Sequence, residues 1–128
     1  MENKATTHGI EVSVESFYIP EQSIAERNQY VFAYRVQLTN HSEQTVQLLS
    51  RHWIITDGDG EISEVKGSGV IGEQPTLQHG EQYQYMSGSH MKTKVGTMAG
   101  TYQMKDPSGK QFDIEIPCFR LAVPNALN

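Results

Sequence analysis

The sequence predicts an all-β fold, a fibronectin type III or immunoglobulin-like antiparallel β-sandwich of about seven strands. Three observations predict it. Apolar residues recur with a period of two rather than 3.6. Clusters of Gly, Asp, Pro and Ser separate these runs at intervals of roughly 8–15 residues, the spacing of a sandwich rather than of βαβ units. No segment carries a convincing amphipathic helical stripe.

Ile10, Val12 and Val14 alternate with Glu11, Ser13 and Glu15 and give the first strand. The segment IPEQSIAERNQ, Ile19 to Gln29, supplies one short turn or a polar loop. Phe32, Tyr34, Val36 and Leu38 alternate with Ala33, Arg35, Gln37 and Thr39, the cleanest strand in the chain. In EQTVQLLSRHWIITD, Val46 and Leu48 share one parity, whereas Leu49, Arg51, Trp53 and Ile55 share the other. The apolar phase flips at Leu48-Leu49, as a β-bulge or a change of neighbouring strand would make it do. Asp57-Gly58-Asp59-Gly60 reads as a hairpin turn between HWIIT and EISEV, because Asp-Gly tolerates positive φ. EQYQYMS is a further strand with Tyr83 and Tyr85 on one face. GTYQMKD and KQFDIEIP flank a second turn, Asp106 to Gly109. Phe112, Ile114 and Ile116 form the buried face of that hairpin, and Pro117 is expected to end ladder pairing on its side. The tail VPNALN is expected to be loosely held.

The 128 residues suit one domain, 1–128, with an ordered core of about 8–122. A chain of this size buries roughly two-thirds of its unfolded surface, so one core forms without staples. The net charge of −5 and the lack of a Lys/Arg run argue against non-specific binding to nucleic acid or anionic membranes. The single cysteine, Cys118, has no internal disulfide partner and is expected to be a small buried hydrophobe at a strand end. The N-terminus MENKATTHGIEV has no apolar h-region, and no stretch reaches the roughly 20 apolar residues of a membrane helix. No membrane insertion is expected, and the expected location is cytoplasmic.

Gly67, Gly69 and Gly72 match the pattern G-x-G-x-x-G, which in dinucleotide-binding folds follows a strand and opens a helix. Here Pro75, Gly80 and a strand-like pattern follow, so no helix N-terminus is available to a phosphate. No Lys-Ser/Thr pair follows either, which excludes a Walker A loop. Glu64 and Glu73 outnumber Lys66 as the nearest charges. Two readings remain: the glycines serve turns and close backbone approach, or their amides form an anion-binding nest. In the second, Lys66 is the nearest cation, Lys92 or Lys94 can join it, and a β-branched residue at position 69 should abolish binding while leaving the fold intact.

DGDG lacks the further ligands of a calcium loop. His8, His41, His52, His79 and His90 form no H-x-x-x-H pair. Convergence of His52, His79 and His90 with Asp57, Asp59 or Glu81 would be needed for a divalent-metal site. Ser87 or Cys118 could be drawn into a triad with a histidine, but no G-x-S-x-G elbow or Cys-His signature supports it. Glu61 and Glu64 read as a solvated strand face, and Trp53, Tyr83 and Tyr85 as core aromatics. No catalytic residue, metal ligand or cofactor is assigned.

The runs RHWIITDGDG, EVKGSGVIGEQPTL, GEQYQYMSG, VGTMAGTYQM and FDIEIPCFRL closely resemble the ApaG family, also called CorD. They cover most of the chain from Tyr30 onward, in order. His79 departs from the pattern, standing where the family usually has a proline before Gly80. The resemblance implies a fibronectin type III-like sandwich in a small bacterial cytoplasmic protein. It also implies a link to cobalt resistance and magnesium efflux, and a gene that neighbours one for a diadenosine tetraphosphate hydrolase. The same domain occurs in eukaryotic F-box and polymerase-interacting proteins as a partner-binding module. The family's glycine motif has been taken as a pyrophosphate site, which carries onto Gly67, Gly69 and Gly72. Three functions stand as expectations. The first is a non-enzymatic module for an unidentified protein partner, with a homodimer through the same surface as a variant. The second is a domain binding a nucleotide polyphosphate or dinucleotide at the glycine loop. The third is a direct binder of divalent metal.

Overall fold

The computed structural model describes residues 2–125. Ala126 to Asn128, the end of the expected loose tail, lie outside the described residues. Nine strands are present among the described residues: β1 (Glu2–Thr7), β2 (Ile10–Tyr18), β3 (Tyr30–Asn40), β4 (Val46–Asp57), β5 (Ile62–Ser68), β6 (Thr76–Leu77), β7 (Gln82–Met91), β8 (Val95–Lys105) and β9 (Gln111–Ala122). One sheet runs β1-β2-β3-β7 and the other β5-β4-β8-β9, with β6 added to the edge of β4 beside β5. Every pairing is antiparallel, and the two sheets form the expected sandwich.

The two strands beyond the predicted seven are β1 and β6. ENKATT carries no alternation of large apolar residues, because β1 is an edge strand that packs partly on β9 and needs no deep core face. β6 is only two residues long. The polar segment after β2 forms two 3₁₀ turns, Pro20–Gln22 and Ala25–Arg27.

Alternation sets the core. Val12, Val14, Phe32, Val36 and Leu38 from one sheet meet Leu48, Tyr102, Met104, Ile114 and Ile116 from the other, all fully or almost fully buried. Each aliphatic side chain buried this way contributes about 1.5–3 kcal/mol.

Two bulges interrupt the ladders of the second sheet. The β4–β8 register shifts between Leu48 and Ser50, where the apolar phase predicted it. The β8–β9 register shifts as well: Ile116 faces Gly100 and Phe119 faces Met98, so Pro117 and Cys118 together oppose Ala99. Pro117 therefore does not end pairing; β9 continues to Ala122 because a proline without an N–H is tolerated at a bulge. The bulge also reverses the phase of β9. Phe119 and Leu121 turn inward, and Cys118, expected to be buried, is exposed.

β1 and β2 pack on β9 and cover one long side of the sandwich. The strand orders place the free edges of β7 and β5 together on the opposite side. Among the described residues β5 has a partner on one edge only, β4, and it is exposed along almost its whole length.

Candidate functional site

The glycine loop joins β5 to β6 along the open side, and its geometry follows from the bulge in β4. The bulge leaves Leu49 outside the β8 ladder, and its carbonyl accepts hydrogen bonds from Gly69 N (2.8 Å) and from the Gln74 side-chain amide (2.9 Å). Val70 and Glu73 then exchange both backbone bonds, Val70 N to Glu73 O at 2.8 Å and Glu73 N to Val70 O at 2.9 Å. The two residues between them, Ile71 and Gly72, have φ of 47° and 74°. Positive φ at both central residues makes this a two-residue type I′ turn.

Each glycine has a different task. Gly69 has φ of 61°, and a Cβ there would lie 2.3 Å from the Glu73 carbonyl oxygen. Gly72 supplies the second positive φ of the turn. Gly67 lies in ordinary strand conformation, but a Cβ would come within 2.8–2.9 Å of the Arg51 guanidinium. The amides of Gly69, Val70 and Glu73 are all spent on backbone carbonyls.

The loop instead turns carbonyls toward a cation. Arg51 Nη1 donates to Ser68 O (3.1 Å) and Gly69 O (2.9 Å). A guanidinium carries five N–H donors, so Nη2 and Nε remain for a ligand. No carboxylate lies within 4.0 Å of Arg51 among the described residues. Arg51 lines a cavity of about 220 Å³, walled by Tyr34, Tyr85 and Ser87 from one sheet, by Trp53 from the other and by Val70 and Ile71 of the loop.

Neutral hydroxyls complete the polar side. Tyr85 and Tyr102 hydroxyls share a 2.5 Å hydrogen bond, and Ser87 is hydrogen-bonded to Tyr34. Burial pushes the titration of Tyr34, Tyr85 and Tyr102 upward, so all three stay protonated at neutral pH. Glu73, which follows the lining residue Gly72, accepts a 2.9 Å bond from the half-buried Tyr83.

The other residues singled out in the sequence fall elsewhere. No three His, Cys, Asp or Glu side chains converge on a metal position among the described residues. His79 Nδ1 is 2.8 Å from Ser42 O, and His41 Nε2 is 2.8 Å from a Glu11 oxygen. His52 Nε2 lies 3.4 Å from Glu64 without a directed hydrogen bond, and His90 lies in β7 beside the Lys92–Glu61 ion pair. Asp57 caps its own turn by accepting from Asp59 N and Glu61 N. Ser87 and Cys118 lie in different sheets, and neither bonds a histidine among the described residues. Arg51 escaped sequence reasoning because it carries no motif. The available signal was its parity, which places it on the inward face with Trp53 and Ile55.

The family model described as the ApaG domain matches residues 20–106. The chain is 57% identical over 120 residues to Protein ApaG of Brucella canis, spanning 94% of this chain and 92% of that protein. It is 54% identical over 123 residues to Protein ApaG of Pseudomonas paraeruginosa, spanning 96% and 98%. The crystal structure of a Bordetella pertussis protein designated ApaA superposes with a TM-score of 0.89 at 46% identity, covering 94% of this chain and 98% of that one. β1, β2 and β9 lie outside the matched span yet complete both sheets.

Proposed function

The chain belongs to the ApaG domain family, and from that premise we propose that it is a non-enzymatic binding module that takes up an extended segment of another protein along β5. The observation that carries this reading is the edge itself. β5 offers seven residues with one unpaired edge, and it exposes Ile62 at 64% and Val65 at 41%. Sheet edges left free in this way are templates for an added strand. Lys66 and Glu64 keep the edge charged, which disfavours indiscriminate pairing and leaves selection to the partner's own charges. The module acts in the cytoplasm, and its bearing on cobalt resistance and magnesium efflux runs through that partner rather than through bound metal.

The test is reconstitution. A protein captured from the cell extract is purified and recombined with this chain, and amide exchange is measured over residues 62–68. Micromolar binding with slowed exchange in β5, lost in Ile62→Lys/Val65→Lys, is the expected result. Protection elsewhere, or a concentration-dependent dimer as the only use of β5, would sink the reading.

A further inference from the structure

We propose that the cavity beneath the glycine loop is a carboxylate-binding site, in which the Arg51 guanidinium grips the carboxylate and Ile71, at the mouth, flanks the ligand's aliphatic portion. The site lies beside the β5 edge and does not depend on a partner adding there.

Four observations converge on it. First, the guanidinium is anchored through Nη1 on two carbonyls, borders the cavity and has no carboxylate neighbour among the described residues. A half-buried guanidinium without a counter-ion matches the planar two-oxygen geometry of a carboxylate. Second, Gly67 keeps the guanidinium's place open, since any side chain there would overlap it. Third, the remaining polar wall consists of neutral hydroxyls from Tyr34, Tyr85 and Ser87. One positive charge therefore meets the ligand, and Glu73, next in sequence to the lining residue Gly72, adds a negative charge in an already acidic chain. That balance suits a monoanion and opposes phosphate or pyrophosphate.

Fourth, Ile71 is out of keeping with the turn it occupies. A β-branched residue at φ of 47° is strained, and it stands 61% exposed at the mouth of the cavity. Asn or Gly would satisfy the turn without strain. An apolar contact made only when a ligand is present accounts for the choice.

The carboxylate belongs either to a small free acid or to the C-terminus of a polypeptide. Both are tested by NMR titration of the ¹⁵N-labelled full chain at constant ionic strength. The probes are isovalerate, a short alanine-rich peptide ending in valine, its C-terminal amide, inorganic phosphate and pyrophosphate. Saturable shifts of the Arg51 Nε–H and the Gly67 to Gly72 amides are expected, with a Kd below about 1 mM for at least one free carboxylate. Isovalerate binding as tightly as the peptide identifies a small acid; binding by the free-acid peptide alone, and not its amide, identifies a chain terminus.

Gly67→Ala and Arg51→Gln should each weaken binding at least about tenfold, whereas Lys66→Ala should not change it. Silence of the Arg51 signal toward every carboxylate would overturn the proposal. So would phosphate or pyrophosphate binding as tightly as the carboxylates, or retained affinity in both Gly67→Ala and Arg51→Gln.

Discussion

Gly67 lies so close beneath Arg51 that a Cβ on it would stand 2.8 Å from Nη1 and 2.9 Å from Cζ and Nη2. The first glycine of the motif thus makes room for a side chain, while the second makes room for backbone. Gly67→Ala asks only a flexible guanidinium to move and replaces a strand glycine, so stability should change by no more than about 1 kcal/mol. Gly69→Ala meets a carbonyl oxygen at 2.3 Å with φ of 61° and should cost roughly 2–4 kcal/mol. Urea denaturation of the two variants measures the difference. Equal losses would mean that Gly67 is constrained by backbone and not by Arg51. A β-branched residue at position 69 is consequently a poor binding probe, because the fold would not survive it intact.

Tyr85 and Tyr102 form a buried hydroxyl pair whose two members differ in escape routes. Tyr102 is fully buried, whereas Tyr85 borders the cavity. Tyr85→Phe strands the Tyr102 hydroxyl and should cost about 1–3 kcal/mol. The double change to Phe should cost less than the sum of the single changes, because no orphaned hydroxyl remains. A double-mutant cycle by chemical denaturation reads the coupling, and strict additivity would deny the bond an energetic role.

The same tyrosines set the alkaline limit of stability. Burial raises the pKa of Tyr34, Tyr85 and Tyr102 above the ordinary value of 10.0. Above about pH 10 the unfolded chain gives up protons that the native state keeps, so the free energy of unfolding falls as pH rises. The stabilisation is fully present below the unfolded value and is lost toward the raised folded values. Denaturation curves between pH 8 and pH 11 should show that decline, and Tyr85→Phe should flatten it relative to its own neutral-pH stability. A pH-independent midpoint across this range would contradict the buried-tyrosine account.

Gly100 imposes a different constraint, in the centre of the second sheet. A Cβ there would fall 2.0 Å from the His52 carbonyl oxygen and 3.0 Å from its carbon. β4 and β8 approach this closely because Gly100 pairs with Trp53 beside the β9 bulge. Gly100→Ala must push the ladder apart and should cost at least about 3 kcal/mol. Gly60→Ala, at a turn with open space around it, should cost only the strain of its positive φ, about 1–2 kcal/mol. Thermal melts of the two proteins separate these cases, and similar losses would show that the sheet yields more easily than its geometry implies.

Period-two alternation made most strands legible, and the phase flip at Leu48-Leu49 located a bulge that local pattern alone could reveal. Pro117 misled because a proline reads the same at a strand end as at a bulge; only the Phe119 and Leu121 phase beyond it tells the two apart. β1 was invisible because its covering strand, β9, is more than one hundred residues away in sequence. The glycines were legible as punctuation but not as a set. Gly67 answers to Arg51, sixteen residues earlier, and that pairing exists only once β4 and β5 are in register. A motif read along the chain suggests amides facing a phosphate; the register turns its carbonyls toward a cation.

Ile71 separates stability from function most directly. Its φ of 47° disfavours a β-branched side chain, and its exposure gives the native state little burial in return. Ile71→Asn retains the type I′ turn, relieves the strain and removes exposed apolar surface. It should stabilise the protein by about 0.5–1.5 kcal/mol while weakening carboxylate binding severalfold. Denaturation and the NMR titration, performed on the same variant, measure both quantities. A variant that is less stable would mean that Ile71 packs in the native fold. A variant that is more stable and binds as before would mean that the residue serves neither the fold nor the cavity.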